Sequence, residues 1–377
     1  MNQLLQQLAQ HGPNPAAIDA FLEKHELPFV DGSKVTFVFH GMVDAVLLHH
    51  WIFGLPSSQQ FERFPGTNLF HLTIDIPERS RVEYKLEIRK GGQQRLIADP
   101  HNPHFARDPY GANSVIQGAG YVFPDWALED GEARRGETQD HKIESKSFGA
   151  QRDLRVYLPA RYRTTRRYPL LVLHDGHDYE RFASLVTILD NLIHRLEIPP
   201  MVVALTQSPN RLHEYADDAR HADFIADEVV PWLDQRFSLV DSGAARGLGG
   251  ASFGAVASLS TALRKPHVFE NLFLQSGSFA FTDIGDHDRG PLFDPVVDFV
   301  NRYRDAPTKP AQRIFVSCGT YESLIYYNRS MVPMLRDSGA ELRYVEARDG
   351  HNWENWRDRM REGLSWLFPG PLWLVYE

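Results

Sequence analysis

From residue 146 onward, short apolar runs of strand length alternate with segments whose apolar residues recur at helical spacing. The candidate strands are residues 154–158, 170–173, 201–205, 272–275, 314–318 and 342–347. The candidate helices are residues 182–196, 221–236, 256–263, 324–335 and 353–367. Parallel strands need long crossover connections, so strands that alternate with helices form a mostly parallel sheet with helices on both faces. The pattern therefore predicts an α/β domain over residues 146–377.

The N-terminal part of the chain has a different periodicity. Residues 1–27 carry leucine and alanine at helical spacing, interrupted by glycine and proline, which predicts two short helices that pack against the next domain. From Val35 onward apolar and polar residues alternate, and the segments 69–76 and 81–88 continue this strand pattern between turn signals. We predict a small antiparallel β-sandwich, which together with the helices forms an N-terminal domain over residues 1–123.

The segment between the two patterns, residues 124–145, is rich in Asp, Glu and Arg and contains almost no aliphatic residues. Such a segment has too little apolar surface to form a core of its own. We predict that it is a linker or an exposed strap. A chain of 377 residues has the length of two domains, which agrees with this division.

Composition narrows the class of protein. The net charge of −9 has the wrong sign for neutralising phosphates, so nucleic acid is not an expected partner. The single cysteine, Cys318, excludes an intramolecular disulfide and a cysteine-based zinc site. The first 26 residues lack the features of a signal peptide, and no run of 18 or more apolar residues occurs. We therefore expect a cytoplasmic protein with no membrane partner; the sequence leaves its oligomeric state open.

The pentapeptide Gly250-Ala251-Ser252-Phe253-Gly254 has the form G-x-S-x-G and precedes a segment suited to a helix. In a nucleophile elbow the serine occupies a strained turn between strand and helix, where larger flanking residues would collide with neighbouring backbone. The pentapeptide alone is short and common, so its context decides its meaning. We take Ser252 as the candidate nucleophile.

The chain order of the other candidates matches the triad of an α/β-hydrolase, in which serine, acid and histidine each follow a strand. Glu322 and His351 both come directly after predicted strands. We predict that His351 takes the proton of Ser252 and later protonates the leaving alcohol, while Glu322 orients the imidazole. Asp349, Glu346 and a dyad without an acid are the alternatives to Glu322.

The oxyanion of the tetrahedral intermediate needs two backbone N–H donors, one of them from the residue after the nucleophile, which is Phe253. We assign the second donor to His177, in the loop after the second predicted strand of the C-terminal domain. The same loop holds His174, Asp175 and Asp178, which suggest a metal cluster, but successive side chains on one loop seldom converge on one point. We expect neither a metal nor another cofactor.

Several further motifs accompany the pentapeptide. In the C-terminal domain they are Leu173-His174-Asp175-Gly176, Arg211-Leu212-His213-Glu214, Gln275-Ser276-Gly277-Ser278-Phe279, and Gly350-His351 followed by Trp353, Trp356 and Arg357. In the N-terminal domain they are residues 35–39, Tyr84-Lys85, 99–103 and 108–114. In this combination most of the chain resembles the enterochelin (enterobactin) esterase family of the esterase D-like α/β-hydrolases. The N-terminal domain resembles that family's immunoglobulin-like early-set domain, which is similar to carbohydrate modules of the glycogen-branching type.

The resemblance implies hydrolysis of the serine-lactone esters of a catecholate siderophore through an acyl-enzyme, with release of iron inside the cell. The partner that the resemblance implies is a small-molecule ester substrate, which includes the ferric complex of a catecholate siderophore. Arg211 matches the arginine of the family's R-x-x-E element; it is a candidate for binding catecholate oxygens, with an ion pair to Glu214 as the alternative. Trp353 and Trp356 are candidates for stacking on an aromatic acyl group, with a place in the core as the alternative.

Two departures from the family pattern concern the shape of the pocket: Ala255 stands where the family often has glycine, and residues 244–249 are unusually rich in glycine.

The same triad also suits a feruloyl, acetyl or other carbohydrate-linked esterase. The likeness of the N-terminal domain to carbohydrate modules favours this alternative, and the lack of a signal peptide disfavours it. An acyltransferase is a close variant, since an alcohol can resolve an acyl-enzyme in place of water. A binding protein with an inactive hydrolase domain is the remaining alternative, and the presence of Ser252 and His351 argues against it.

Overall fold

The computed structural model describes residues 3–10, 14–283 and 287–371. The chain divides into two compact units. The first holds the chain up to Phe123 together with Gly319–Glu322 and Ala347–Asn352. The second holds Pro124–Cys318, Ser323–Glu346 and the chain from Trp353 onward. Two short segments that follow strands of the C-terminal domain thus belong to the first unit.

The first unit begins with two helices, α1 (Gln3–Gln10) and α2 (Pro15–Lys24). Ten strands follow: β1 (Phe29–Asp31), β2 (Lys34–His40), β3 (Ala45–His50), β4 (Ser58–Gln60), β5 (Glu62–Arg63), β6 (Leu69–Asp75), β7 (Arg81–Lys90), β8 (Gln93–Ile97), β9 (Phe105–Asp108) and β10 (Gly111–Gln117). The strands form one sheet in the order β1-β2-β6-β5 and a second in the order β4-β3-β7-β10-β9, with β8 paired to β7. Neighbouring strands in both sheets are antiparallel.

The predicted antiparallel β-sandwich and its two helices are confirmed. Alternate residues of β2, β3, β6 and β7 point into a shared apolar core, as in Phe37, Val46, Phe70 and Tyr84. The helices bury their apolar faces in a second cluster with β2 and β6, consisting of Leu5, Ile18, Leu22, Leu27, Val38, Phe64 and Leu69. The helices therefore pack on the sandwich, as their amphipathic spacing predicted.

The second unit contains eight strands and nine helices among the residues described. The strands are β11 (Glu137–Ser145), β12 (Ala150–Leu158), β13 (Leu170–Leu173), β14 (Val202–Thr206), β15 (Arg246–Ala251), β16 (Asn271–Gln275), β17 (Arg313–Gly319) and β18 (Glu341–Ala347). The α-helices are α3 (Gly176–Phe182), α4 (Leu185–His194), α5 (Arg211–Glu214), α6 (Ala219–Asp223), α7 (Val230–Asp234), α8 (Phe253–Arg264), α9 (Asp294–Asp305), α10 (Ile325–Asp337) and α11 (Trp353–Leu367). Short 3₁₀ segments cover Asp125–Ala127, Gly243–Ala245 and Pro291–Phe293, and a π-helical segment covers Phe224–Val229.

The eight strands form one sheet in the order β11-β12-β14-β13-β15-β16-β17-β18. Strands β13 to β17 pair in parallel, whereas β11 and β12 are antiparallel to their neighbours. Successive residues of a central strand enter opposite cores: Leu170 and Val172 face the helices α8, α9 and α10, while Leu171 and Leu173 face α4 and α11. Helices on both faces of this mostly parallel sheet give the α/β architecture that the sequence predicted.

Four segments differ from the sequence prediction. The predicted linker 124–145 contains β11, whose residues pair in register with β12 from Glu137 opposite Leu158 to Ser145 opposite Ala150. The helix α9 was not predicted, and the predicted helix 221–236 is interrupted by the π-helical segment. The predicted helix 182–196 begins only at Leu185, after Ser184 in a left-handed conformation with φ of 52°.

Candidate functional site

Ser252 lies at the turn between β15 and α8, as an elbow serine does. Its backbone angles, φ 59° and ψ −119°, fall in a region that costs a non-glycine residue about 1–3 kcal/mol. Backbone hydrogen bonds hold it there: the Ser252 N–H donates to the Gln275 carbonyl at 2.9 Å, and its carbonyl accepts from the Ser278 N–H at 3.2 Å. Hydrogen bonds to β16 and to the loop that follows it therefore hold Ser252 in this strained conformation.

Both glycines of the elbow are required by close packing. A Cβ on Gly250 would lie 3.0 Å from the Cβ of His174, and one on Gly254 would lie 3.2 Å from the same atom. His174 is fully buried, so it has little freedom to move away. A Cβ on Gly250 would also lie 3.0 Å from the backbone carbon of Gly254, so His174 and the elbow's own backbone both restrict these positions to small residues.

The hydroxyl of Ser252 is half-buried and lies 3.0 Å from the hydroxyl of Ser278. Ser278 belongs to the motif Gln275-Ser276-Gly277-Ser278-Phe279, from which no role for it was predicted. The signal that identifies it is its place after β16, the strand next to the one that leads into the elbow.

His351 and Glu322, both in the first unit, are in direct contact. The Nδ1 of His351 is 2.7 Å from Oε2 of Glu322, whose other oxygen accepts from the Gly319 N–H at 2.7 Å. The Glu322 side chain is fully buried, and the His351 side chain is 37% exposed. A carboxylate can only accept hydrogen bonds, so Nδ1 carries the proton and Nε2 is the basic nitrogen of the neutral ring. This is the tautomer that a general base needs.

The two competing acids have other partners. Asp349 accepts two hydrogen bonds from Arg81, at 2.8 and 3.1 Å. Glu346 accepts from Arg329 at 2.6 and 2.7 Å, which lowers the pKa of that carboxyl. Glu322 is thus the acid among these three that contacts the imidazole of His351.

The two assigned oxyanion donors begin helices. Phe253 is the first residue of α8 and His177 is the second residue of α3. Backbone N–H groups in the first turn have no carbonyl partner within their own helix and carry the positive end of the helix dipole. Each can therefore stabilise a developing anion. Asp175, before α3, has a left-handed conformation with φ 52° and ψ 36°.

His174, which directly follows β13, and His221 are both buried and contact each other. His174 Nδ1 donates to the Gly249 carbonyl at 3.0 Å, so its Nε2 accepts from Nε2 of His221 at 2.8 Å. Burial lowers the pKa of His174 to about 4 and that of His221 well below its ordinary value, so both rings are neutral at pH 7. Within the described ranges, no three His, Cys, Asp or Glu side chains are arranged to hold a metal ion.

Comparison with known proteins decides the family. A model of the Esterase family matches residues 145–367, more than half of the chain. The chain belongs to this esterase family. It is a carboxylic ester hydrolase, as the sequence predicted.

Relatives of known type resemble the esterase over most of its length. An iron(III) enterobactin esterase of Escherichia coli O6:H1 (strain CFT073) is 25% identical over 336 residues, which cover 82% of this chain and 81% of the relative. The crystal structure of ferric enterobactin esterase from Salmonella typhimurium superposes with a TM-score of 0.77 at 18% identity, covering 93% of this chain and 98% of the other. The protein is thus an esterase of the enterobactin esterase type, and the superposition confirms the fold.

For two other relatives, the match covers a smaller share of the relative's own length. An uncharacterized Bacillus subtilis (strain 168) protein, YjcH, is 32% identical over 150 residues; the match spans 38% of this chain and 62% of that protein. An endo-1,4-beta-xylanase/feruloyl esterase of Xylanibacter ruminicola (strain ATCC 19189) is 24% identical over 322 residues, which cover 81% of this chain but 38% of that protein.

Arg211 of the esterase does not pair with Glu214, so the ion pair considered from the sequence is wrong. Arg211 pairs with Asp175, with Nη2 donating at 2.7 Å and Nε at 3.1 Å. Glu214 instead accepts from both terminal nitrogens of Arg152, at 2.9 and 3.0 Å. Spacing along a four-residue helix could not reveal these partners, because both come from distant strands or loops.

The ion pair of Arg211 and Asp175 borders the elbow. A Cβ on Gly254 would lie 3.7 Å from Oδ2 of Asp175, whose side chain is 3% exposed. We expect Arg211→Met to lower the free energy of unfolding by about 2 kcal/mol, because it leaves a buried carboxylate without its cation. Urea unfolding measures the loss. The control is Arg220→Met, whose pair with Asp218 is more exposed and whose expected loss is under about 1 kcal/mol; equal losses would contradict the prediction.

The two tryptophans of α11 have different surroundings. Trp356 is buried, and its Nε1 donates to Ser276 Oγ at 2.9 Å, which favours the core alternative over stacking on a substrate. Trp353 is half-buried and packs edge-on against Tyr179 and Trp356, with ring centroids 5.2 and 4.7 Å apart. A stacking role for Trp353 stays a prediction.

In the ranges that the structure describes, no helix has both the length and the apolar character that a membrane crossing requires.

Proposed function

We propose that the protein hydrolyses the lactone ester bonds of a catecholate siderophore of the enterobactin type through a serine acyl-enzyme, and so frees iron in the cell. The observation that carries the proposal is the hydrogen bond between His351 and Glu322, combined with the strained Ser252 elbow. Likeness to enterobactin esterases over 82% of the chain supports the substrate class.

In the proposed mechanism Ser252 Oγ attacks the ester carbonyl while Nε2 of His351 takes its proton. The N–H groups of Phe253 and His177 receive the oxyanion. Collapse of the intermediate breaks the ester C–O bond, the leaving alkoxide takes the proton from His351 and becomes the serine hydroxyl, and an acyl-enzyme remains. Water then attacks the acyl carbon by the same route, with Glu322 stabilising the imidazolium in both halves.

The release of iron follows from the loss of the covalent ring. Three catecholates on one trilactone bind iron with a high effective concentration of the second and third groups. Opening the lactone and removing its arms turns these intramolecular contacts into separate binding events. Ester hydrolysis alone therefore weakens the complex, and no change in the oxidation state of iron is needed for this effect.

A feruloyl or other carbohydrate-linked ester is the second candidate substrate, favoured by the match to the xylanase/feruloyl esterase. Both candidates use the same three side chains, so substrate preference separates them. An acyltransferase would differ by needing an added alcohol for turnover.

The experiment is a hydrolysis panel of a catecholate trilactone, a feruloyl sugar and short p-nitrophenyl esters, with products identified by mass spectrometry. We expect kcat/KM for the trilactone to exceed that for the feruloyl sugar by about 100-fold, equal to about 2.7 kcal/mol of transition-state binding. The reverse order would favour the carbohydrate ester. Absence of ring-opened product would reject the siderophore substrate.

A serine-directed phosphonate tests the remaining alternative, an inactive hydrolase domain. It should label the wild-type protein at Ser252 and leave Ser252→Ala unlabelled, because an attack on phosphorus needs the activated hydroxyl. No labelling of the wild-type protein, together with no hydrolysis in the panel, would favour a binding protein.

A further inference from the structure

Arg81, in strand β7 of the sandwich, has its charge almost completely buried. Its side chain is 1% exposed. Its Nε donates to Oδ2 of Asp349 at 2.8 Å and its Nη2 donates to Oδ1 of Asp349 at 3.1 Å, across 268 positions of sequence. The same guanidinium also contacts Glu83 at 3.1 Å and the side-chain oxygen of Asn352. A buried arginine in a two-point pair fixes its partner in position as well as in distance.

The partner of Arg81 shapes the turn that carries His351. The Asp349 carboxylate accepts from the Gly350 N–H at 2.7 Å and from the Asn352 side-chain amide at 3.0 Å. These two residues flank His351 in the sequence. The Asp349 carboxylate thus links Gly350 and Asn352, the two neighbours of His351 in the sequence, to the Arg81 guanidinium.

Backbone contacts attach the same turn to the sandwich. The Arg81 N–H donates to the Arg348 carbonyl at 2.9 Å, and Nη1 of Arg348 donates to the Glu78 carbonyl at 2.7 Å. The turn is therefore attached by main chain and side chain within the first unit.

The segment Gly319–Glu322, which carries the acid, is attached to the sandwich in a similar way. The Tyr321 hydroxyl lies 2.6 Å from Ser80 Oγ, and the Tyr321 carbonyl accepts from the Phe53 N–H at 2.9 Å. The Tyr321 N–H in turn donates to the Asp349 carbonyl at 3.1 Å. Tyr321 immediately precedes Glu322, and Asp349 lies two residues before His351. The hydrogen bond between Tyr321 and Asp349 therefore links the acid's segment to the base's turn, and both are attached to the sandwich.

We propose that Arg81 is a positioning residue of the esterase, and that the N-terminal sandwich acts as the support that holds His351 and Glu322 in catalytic geometry. Arg81 acts through Asp349 and touches neither the substrate nor the reacting atoms. This inference rests on the function proposed above, because it assigns His351 as the base. It gives the sandwich a role that does not depend on binding carbohydrate.

The expected signature is a loss of kcat with little change in KM. A displacement of a catalytic group by about 1 Å costs about 100-fold in rate, whereas the pocket that binds the ester is left intact. We therefore expect Asp349→Asn and Arg81→Met to lower kcat for a short p-nitrophenyl ester by about 100-fold, with KM changed less than about threefold. Labelling by the serine phosphonate should slow by a similar factor, since it needs the same base.

Conservative replacement separates positioning from general stability. Arg81→Lys keeps the charge but has no planar two-point donor, so we expect kcat between those of wild type and Arg81→Met. The matched control is Arg89→Met on the same strand, since Arg89 pairs with Glu87 and its side chain is 43% exposed. Arg89→Met should retain wild-type kcat.

Circular dichroism and urea unfolding of each variant show whether it is folded. Asp349→Asn is the milder change, because Glu83 stays beside Arg81, and it decides the question if Arg81→Met fails to fold. Folded Asp349→Asn with wild-type kcat would overturn the inference, as would an equal loss in Arg89→Met. Failure of the proposed function has a different signature: the wild-type enzyme would cleave p-nitrophenyl esters without opening the trilactone, or Ser252→Ala would remain active.

Discussion

Replacing Ser252 with alanine is expected to lower kcat by about 10⁴- to 10⁶-fold on every ester that the protein hydrolyses, with KM little changed. The reason is that the hydroxyl forms the covalent bond to the acyl carbon, and no other group at the elbow can take its place at the end of β15. The remaining rate should come from the oxyanion donors and binding alone. Steady-state kinetics with a p-nitrophenyl ester measures the loss, and mass spectrometry of the phosphonate adduct locates the nucleophile.

Ser278→Ala is the matched control for Ser252→Ala. Its hydroxyl lies 3.0 Å from that of Ser252, so both replacements remove the same hydrogen bond and a similar volume. We expect Ser278→Ala to keep kcat within about tenfold of wild type, because a lost neutral hydrogen bond is worth about 1 kcal/mol. If Ser278→Ala abolished turnover and Ser252→Ala did not, Ser278 would be the nucleophile and the elbow assignment would be wrong.

Most of the catalytic domain's sheet was predictable because its strands are buried on both faces. Leu170–Leu173 is a continuous apolar run whose alternate residues enter opposite cores, and the structure gives the strand the predicted bounds. The last helix, Trp353–Leu367, also has the predicted bounds, since its apolar residues recur at helical spacing. Local periodicity was sufficient for these two elements, but it did not reveal α9, whose Val296 and Val300 also lie in the core.

Elements that depend on a neighbour could not be predicted in this way. Strand β11 exposes most of its side chains and is held by backbone pairing to β12, which leaves no apolar pattern in the sequence beyond Ile143. The break in the predicted helix 221–236 is a π-helical segment just before Pro231, which lacks an N–H. Neither feature changes the hydrophobic period that sequence analysis detects.

The candidate site shows the same division. Chain order predicted Glu322 and His351 as partners, because each follows a strand of one sheet, and the two side chains are in contact. The ion pair of Arg211 with Glu214, which was the alternative to substrate binding, is wrong, because ion pairs across a fold depend on tertiary positions that spacing does not encode. A place in the core was the alternative given for both tryptophans, and spacing alone could not show that it is Trp356 that is buried. The three-residue catalytic assignment itself stays a prediction, and the variants of Ser252 and Glu322 test it.

Glu322→Gln is expected to lower kcat by about 10³- to 10⁴-fold. Gln has nearly the same shape, but its amide can donate to Nδ1 of His351, whereas the carboxylate can only accept from it. The replacement therefore favours the tautomer whose proton is on Nε2, the nitrogen that must accept the proton of the serine. It also removes the negative charge that stabilises the imidazolium. Steady-state kinetics with a p-nitrophenyl ester measures the loss.

Glu346→Gln is the control for this change, because it removes one carboxylate of the same size from the neighbouring strand β18. Its partner is Arg329 and its side chain is 29% exposed, so kcat should stay within about threefold of wild type. If Glu322→Gln kept more than about a tenth of wild-type kcat, the imidazole would not need this acid and a serine–histidine dyad would account for the reaction. If Glu346→Gln instead lost as much activity as expected for Glu322→Gln, the acid would lie on β18, and the hydrogen bond at Nδ1 would serve only to hold the loop.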